Sequence, residues 1–114
     1  MITWHDLTSE ADLMAAIERS KTTTVGIFKH STRCHISKMA KQFLEGDWEE
    51  QNTNLPEMYY LDLLTYRPIS ARISEVLKEP HESPQLLLVK DGECIWEASH
   101  QDIRYDDIKS FLKV

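Results

Sequence analysis

Apolar residues recur along this chain with two different periods, and the switches between them mark out the elements. Leu13, Ala16 and Ile17 share one face of a helix that runs to about Arg19. Thr8 or Ser9 is placed to cap it, and Ser9 with Asp12 has the spacing of a capping box. The stretch 22–29, TTTVGIFK, is β-branched and aromatic and reads as a strand, ended by the polar His30, Ser31, Thr32 and Arg33. From Cys34 onward Ile36, Met39, Ala40 and Phe43 fall at helical spacing, which predicts a second helix ending before the polar stretch 51–56. Met58 to Leu63 reads as a second strand, and Arg67-Pro68 opens a third helix with Ile69, Ile73, Val76 and Leu77 as its buried stripe. Gln85 to Lys90 and Cys94 to Ala98 form a hairpin around Asp91-Gly92, and Tyr105, Ile108, Phe111 and Leu112 mark a last helix.

The resulting order, α-β-α-β-α-β-β-α, is that of a thioredoxin-like α/β fold. Two βα units give parallel strands, and the hairpin adds antiparallel ones to a mixed sheet of four to five strands with helices on both faces. Length fits one domain over residues 1–114, and no repeat, linker or low-complexity tract divides the chain.

Composition narrows the function classes. Apolar residues make up 41% and charged residues 28%, a globular balance. The net charge of −6 argues against nucleic-acid binding. No apolar run reaches the ~18 residues of a membrane span, and the N-terminus has neither the basic flank nor the apolar core of a signal peptide. The expectation is therefore a cytoplasmic protein with no membrane partner. Charge is unevenly spread: no acidic residue lies between Glu18 and Glu45, a window holding Arg19, Lys21, Lys29, Arg33, Lys38, Lys41, His30 and His35.

Two cysteines, Cys34 and Cys94, are too few for a disulfide framework and too far apart for a C-x-x-C motif. Cys34 stands where a strand hands over to a helix, at the sheet end where ligands gather in open α/β folds. There the helix dipole and free N–H groups favour the thiolate, the attacking species in disulfide exchange. Lys29, His30, Arg33, His35 and Lys38 are the expected cations beside it. Ser37 occupies the position where a dithiol oxidoreductase carries its second cysteine, so the pattern is a monothiol one. Two roles fit Ser37: a hydrogen-bond donor to the Cys34 sulfur, or an ordinary first-turn residue. Ser83-Pro84 precedes the third core strand; in the thioredoxin arrangement this proline is cis, faces the active cysteine and lets the preceding backbone pair with a substrate chain. His81 fits either a ligand contact or a cap of the preceding helix. Strand directions bring Arg67 and His100 to the Cys34 end and leave Cys94, beyond the Asp91-Gly92 turn, at the other end as a structural residue.

FKHSTRCHIS (28–37), LTYRPIS (64–70), HESPQ (81–85) and WEASHQDI (96–103) together resemble the monothiol bacilliredoxins, thioredoxin-like bacterial proteins that work with bacillithiol in place of glutathione. The resemblance implies that Cys34 is the active thiol, that Pro84 is the cis proline, and that the reaction removes bacillithiol from mixed disulfides of client proteins. No bound cofactor is implied; bacillithiol is a co-substrate, and free bacillithiol or another redoxin regenerates Cys34. Bacillithiol carries a malate group, for which the basic window with Arg67 and His100 offers an electrostatic seat. The family commonly has proline directly after the active cysteine, whereas this chain has His35, which frees an N–H and adds a titrating group. Two other readings compete: a non-catalytic thioredoxin-like binding module, and a metal or cluster binder like monothiol glutaredoxins. One cysteine with loosely spaced histidines falls short of a closed zinc site.

Overall fold

The computed structural model describes residues 1–114. Its chain order is β1 (Trp4–Asp6), α1 (Glu10–Arg19), β2 (Val25–His30), α2 (His35–Asp47), β3 (Glu57–Asp62), α3 (Arg67–Leu77), β4 (Gln85–Lys90), β5 (Glu93–Ser99), a short 3-10 turn (His100–Asp102) and α4 (Tyr105–Leu112). The five strands form one sheet in the order β1-β3-β2-β4-β5. β1, β3 and β2 run parallel, and β4 and β5 are antiparallel to their neighbours β2 and β4. β1 is the one strand that the sequence pattern does not announce; three residues are too few to show a period, and Trp4 is held there by stacking on Phe28 with ring centroids 5.7 Å apart.

Local chemistry accounts for the ends of the elements. Ser9 caps α1 by accepting from Asp12 N at 3.1 Å, while the Asp12 carboxylate accepts from Thr8 N at 3.0 Å, so the two residues satisfy free donors reciprocally. Asp91 and Gly92 both have positive φ, 52° and 79°, which matches the twist required of a two-residue hairpin loop. Gly26, inside β2, leaves room for a neighbouring side chain: a Cβ there would lie 2.5 Å from Met58 Sδ.

β2 and β4 are buried along nearly all their length, so their alternate residues feed two separate cores. One core contains Phe28, Ala40, Leu44, Leu86, Leu88 and Ile108 beneath α2 and α4. The other contains Leu13, Ala16, Ile27, Leu61, Ile73 and Leu87 beneath α1 and α3. No helix is long and apolar enough to cross a membrane.

Candidate active site

Cys34 is the N-cap of α2, with extended backbone (φ −103°, ψ 120°). Its N–H donates to Ser31 O at 3.2 Å, and its carbonyl accepts the first helical bond from Lys38 N at 3.0 Å. An N-cap side chain ordinarily offers an oxygen to the free N–H groups of the first turn. Here that position carries a half-buried thiol and no side-chain cap bond forms, so the positive end of α2 faces the sulfur.

The basic residues expected around the sulfur fall into two groups. Arg33, His35 and Lys38 are exposed, and none belongs to an ion pair. Lys29 and His30 do not join them, which corrects the expectation from sequence. They are the last residues of a strand buried on both faces, so they enter the two cores instead of the solvent. Lys29 is 0% exposed, and its Nζ donates to His81 Nδ1 at 2.7 Å. Burial pushes the Lys29 ammonium down to about 8, with Glu82 opposing that shift. Burial and then the Lys29 charge hold His81 below the ordinary imidazole range. On the opposite face the His30 ring stacks on Phe28 at 5.6 Å, and burial lowers its affinity for a proton.

Ser37 is buried and bonded away from the sulfur. Its Oγ accepts from Ser31 N at 3.0 Å, and its hydroxyl lies 2.6 Å from His30 Nδ1, to which it donates when the neutral ring carries its proton on Nε2. The role of donor to Cys34 is therefore replaced by another: Ser37 ties the loop that carries Cys34 to the sheet beneath it. His81 likewise does not cap α3, whose C-cap is Lys78 in the left-handed region; it receives Lys29 instead.

Antiparallel pairing of Lys29 with Gln85 brings the loop before β4 to the Cys34 end of the sheet. The Ser83-Pro84 bond is cis. The Pro84 carbonyl accepts from His100 N at 3.1 Å, which fastens this loop to the end of β5. The His100 ring is half exposed, with Nε2 3.4 Å from Glu82 Oε1, so a carboxylate accompanies the imidazole expected to meet substrate. Arg67 begins α3, exposed and outside every ion pair. A shallow groove of about 420 Å³ runs from Leu63 and Arg67 past Ser70 to His81.

Sequence reasoning passed over two residues that shape this end. The buried Gln85 amide donates to Pro80 O and to Glu97 Oε1, both at 3.1 Å, and so sets the course of the Pro80–Pro84 loop. Asp62 accepts from Leu64 N at 3.2 Å and from Thr65 Oγ1 at 2.8 Å, which fixes the turn into α3. The Asp62-x-x-Thr65 spacing after a strand was the available signal. No group of three or more His, Cys, Asp or Glu side chains is arranged to hold a metal ion.

Cys94 lies far from this end. It pairs with Val89, which pairs with Val25 at the start of β2, whereas Cys34 follows the end of β2. A strand of that length separates the thiols by roughly 15 Å, and a disulfide needs Cα atoms within about 7 Å.

The sequence profile of the family described as monothiol bacilliredoxin BrxC matches residues 5–108. A solved structure given as a candidate oxidoreductase with a thioredoxin fold is 29% identical, with TM-score 0.77, covering 97% of this chain and 94% of that one. Thioredoxins from Malassezia sympodialis (15% identity, TM-score 0.76, covering 99% of this chain and 90% of that one) and Fasciola hepatica (16%, 0.73, 96% of each) share the fold. The chain belongs to the monothiol bacilliredoxin family, and family and fold together carry a thiol redox function.

Proposed function

We propose that this bacilliredoxin-family chain is a monothiol thiol–disulfide oxidoreductase that removes bacillithiol from client proteins through the Cys34 thiolate. The observation that carries the reading is the position of Cys34 as an otherwise uncapped N-cap at the sheet end shared with the cis Pro84 loop. The client approaches in extended form, and the Ser83 backbone offers it main-chain pairing. The Cys34 thiolate attacks the bacillithiol sulfur of the client–bacillithiol disulfide. A Cys34–bacillithiol disulfide forms as the client sulfur leaves with its electron pair and takes a proton. A second thiol, free bacillithiol or another redoxin, then attacks the bacillithiol sulfur and releases Cys34 as thiolate. Each step exchanges one disulfide for another, so no bound redox cofactor is required.

Arg33 and Arg67 supply the accessible positive charge for the malate carboxylates, and the exposed His35 offers them a ring N–H. Ser37 and His30 hold the Cys34 loop, and Lys29 with His81 holds the neighbouring one. These four are positioning residues. The test is intact-mass analysis of the reduced Cys94→Ser protein mixed with a single-cysteine protein carrying bacillithiol. Appearance of bacillithiol on Cys34 with the client recovered reduced is the expected result. Persistence of the client's modification, or capture of the client itself on Cys34, would overturn the reading.

A further inference from the structure

The helix that begins at Cys34 exposes its large apolar residues. α2 buries Ser37, Ala40 and Leu44 against the sheet. Ile36, Met39 and Phe43 face solvent at 37%, 38% and 60% exposure. Their spacing of three and four places them in one stripe, about 10 Å long at 1.5 Å per residue, starting two positions from the thiol. Exposed apolar side chains gathered in one stripe, in place of being scattered singly, mark contact sites. The exposed Arg33, His35 and Lys38 flank the stripe without an acidic partner, whereas Lys41, one turn further along, is paired with Glu45 at 3.0 Å.

We infer that the Ile36–Met39–Phe43 stripe is a docking surface for client proteins that present apolar side chains flanked by carboxylates beside their modified cysteine. The inference rests on the reading of Cys34 as the working thiol. A small thiol seated at Cys34 has no use for an apolar strip extending two turns along the helix; a polypeptide does. Charge complementarity sets the rest of the partner's chemistry. The unpaired cations Arg33 and Lys38 lie at the Cys34 end of the stripe, whereas its Phe43 end lines a hollow with Asp47, Asp106 and Asp107. In a chain whose net charge is −6, the client's carboxylates therefore belong beside its modified cysteine and its apolar side chains further along the helix.

Two ten-residue peptides, each with one cysteine carrying bacillithiol, test this. One has leucine and glutamate on both sides of the cysteine; the other has serine and lysine. Bacillithiol disulfide serves as the small substrate. The wild type is expected to favour the leucine–glutamate peptide by about tenfold in kcat/KM, the equivalent of one buried apolar side chain. The double variant Met39→Ser/Phe43→Ser removes that preference and leaves the rate on bacillithiol disulfide within about twofold. Lys38→Glu shifts the preference toward the lysine peptide. Equal rates on the two peptides, or equal loss on all three substrates in the double variant, would overturn the inference. So would sedimentation showing a dimer that Phe43→Ser dissociates, because a second copy would then cover the stripe. Failure of the wild type on every substrate would instead remove the proposed function.

Discussion

The two ends of the sheet each hold a half-buried free thiol, yet they present opposite chemistry. Cys34 caps a helix N-terminus with Arg33, His35 and Lys38 exposed nearby. Cys94 lies at the start of β5, where its Sγ–H donates to Trp96 O at 3.4 Å. Burial, and then the carboxylate of Glu79, pushes its thiol up to about 11. The thiolate is the reactive form, and burial with a nearby carboxylate disfavours it at Cys94, whereas a helix N-terminus faces the Cys34 sulfur.

Exchanging each cysteine for serine puts this contrast under the greatest strain. Cys34→Ser is expected to lower disulfide-exchange turnover by ~10³-fold or more, since no second thiol is within reach. Cys94→Ser should stay within about twofold. Similar losses in both, read from the rate of client reduction, would erase the distinction between the ends.

Pulse alkylation sharpens the same contrast without mutation. With its thiol pushed up to about 11, Cys94 is thiolate in only ~10⁻⁴ of molecules at pH 7. Brief iodoacetamide treatment followed by peptide mapping is expected to label Cys34 more than ~100-fold faster. Comparable labelling of Cys94 would contradict the assigned environment.

The remaining tests compare the two faces beneath the Cys34 end. Lys29 is held near 8 in the folded chain against an ordinary 10.5. Below pH 8 the folded state carries the buried charge and its full cost. Between pH 8 and 10.5 the folded lysine releases its proton while the unfolded one keeps it, so stability rises with pH, by roughly 3 kcal/mol across that window. Urea unfolding of wild type and Lys29→Met at pH 7 and pH 10 checks this. The methionine variant should be more stable at pH 7 and should lose the alkaline rise, and parallel pH curves would exclude the buried ammonium. On the other face, Ser37→Ala leaves Ser31 N–H and His30 Nδ1 without their partner and should cost about 2 kcal/mol. A loss below ~0.5 kcal/mol in the same assay would show that Ser37 does not hold the Cys34 loop.

Much was legible in the residues themselves. Period alone separated four helices from four of the five strands, because 3.6- and 2-residue repeats of apolar side chains are local properties. Asp91-Gly92 identified its turn, and the place of Cys34 between a strand and a helix, with Ser37 three residues on, marked a single-thiol site. Tertiary structure decided which side of each element faces inward. Periodicity finds a stripe on α2 but cannot say that Ser37, Ala40 and Leu44 are buried against the sheet in place of Ile36, Met39 and Phe43. Nor can a basic window reveal that Lys29 and His30 lie inside, since their burial follows from β2 being central in the sheet. That position depends on β3 and β4, which flank β2 only once residues more than 25 positions apart have paired.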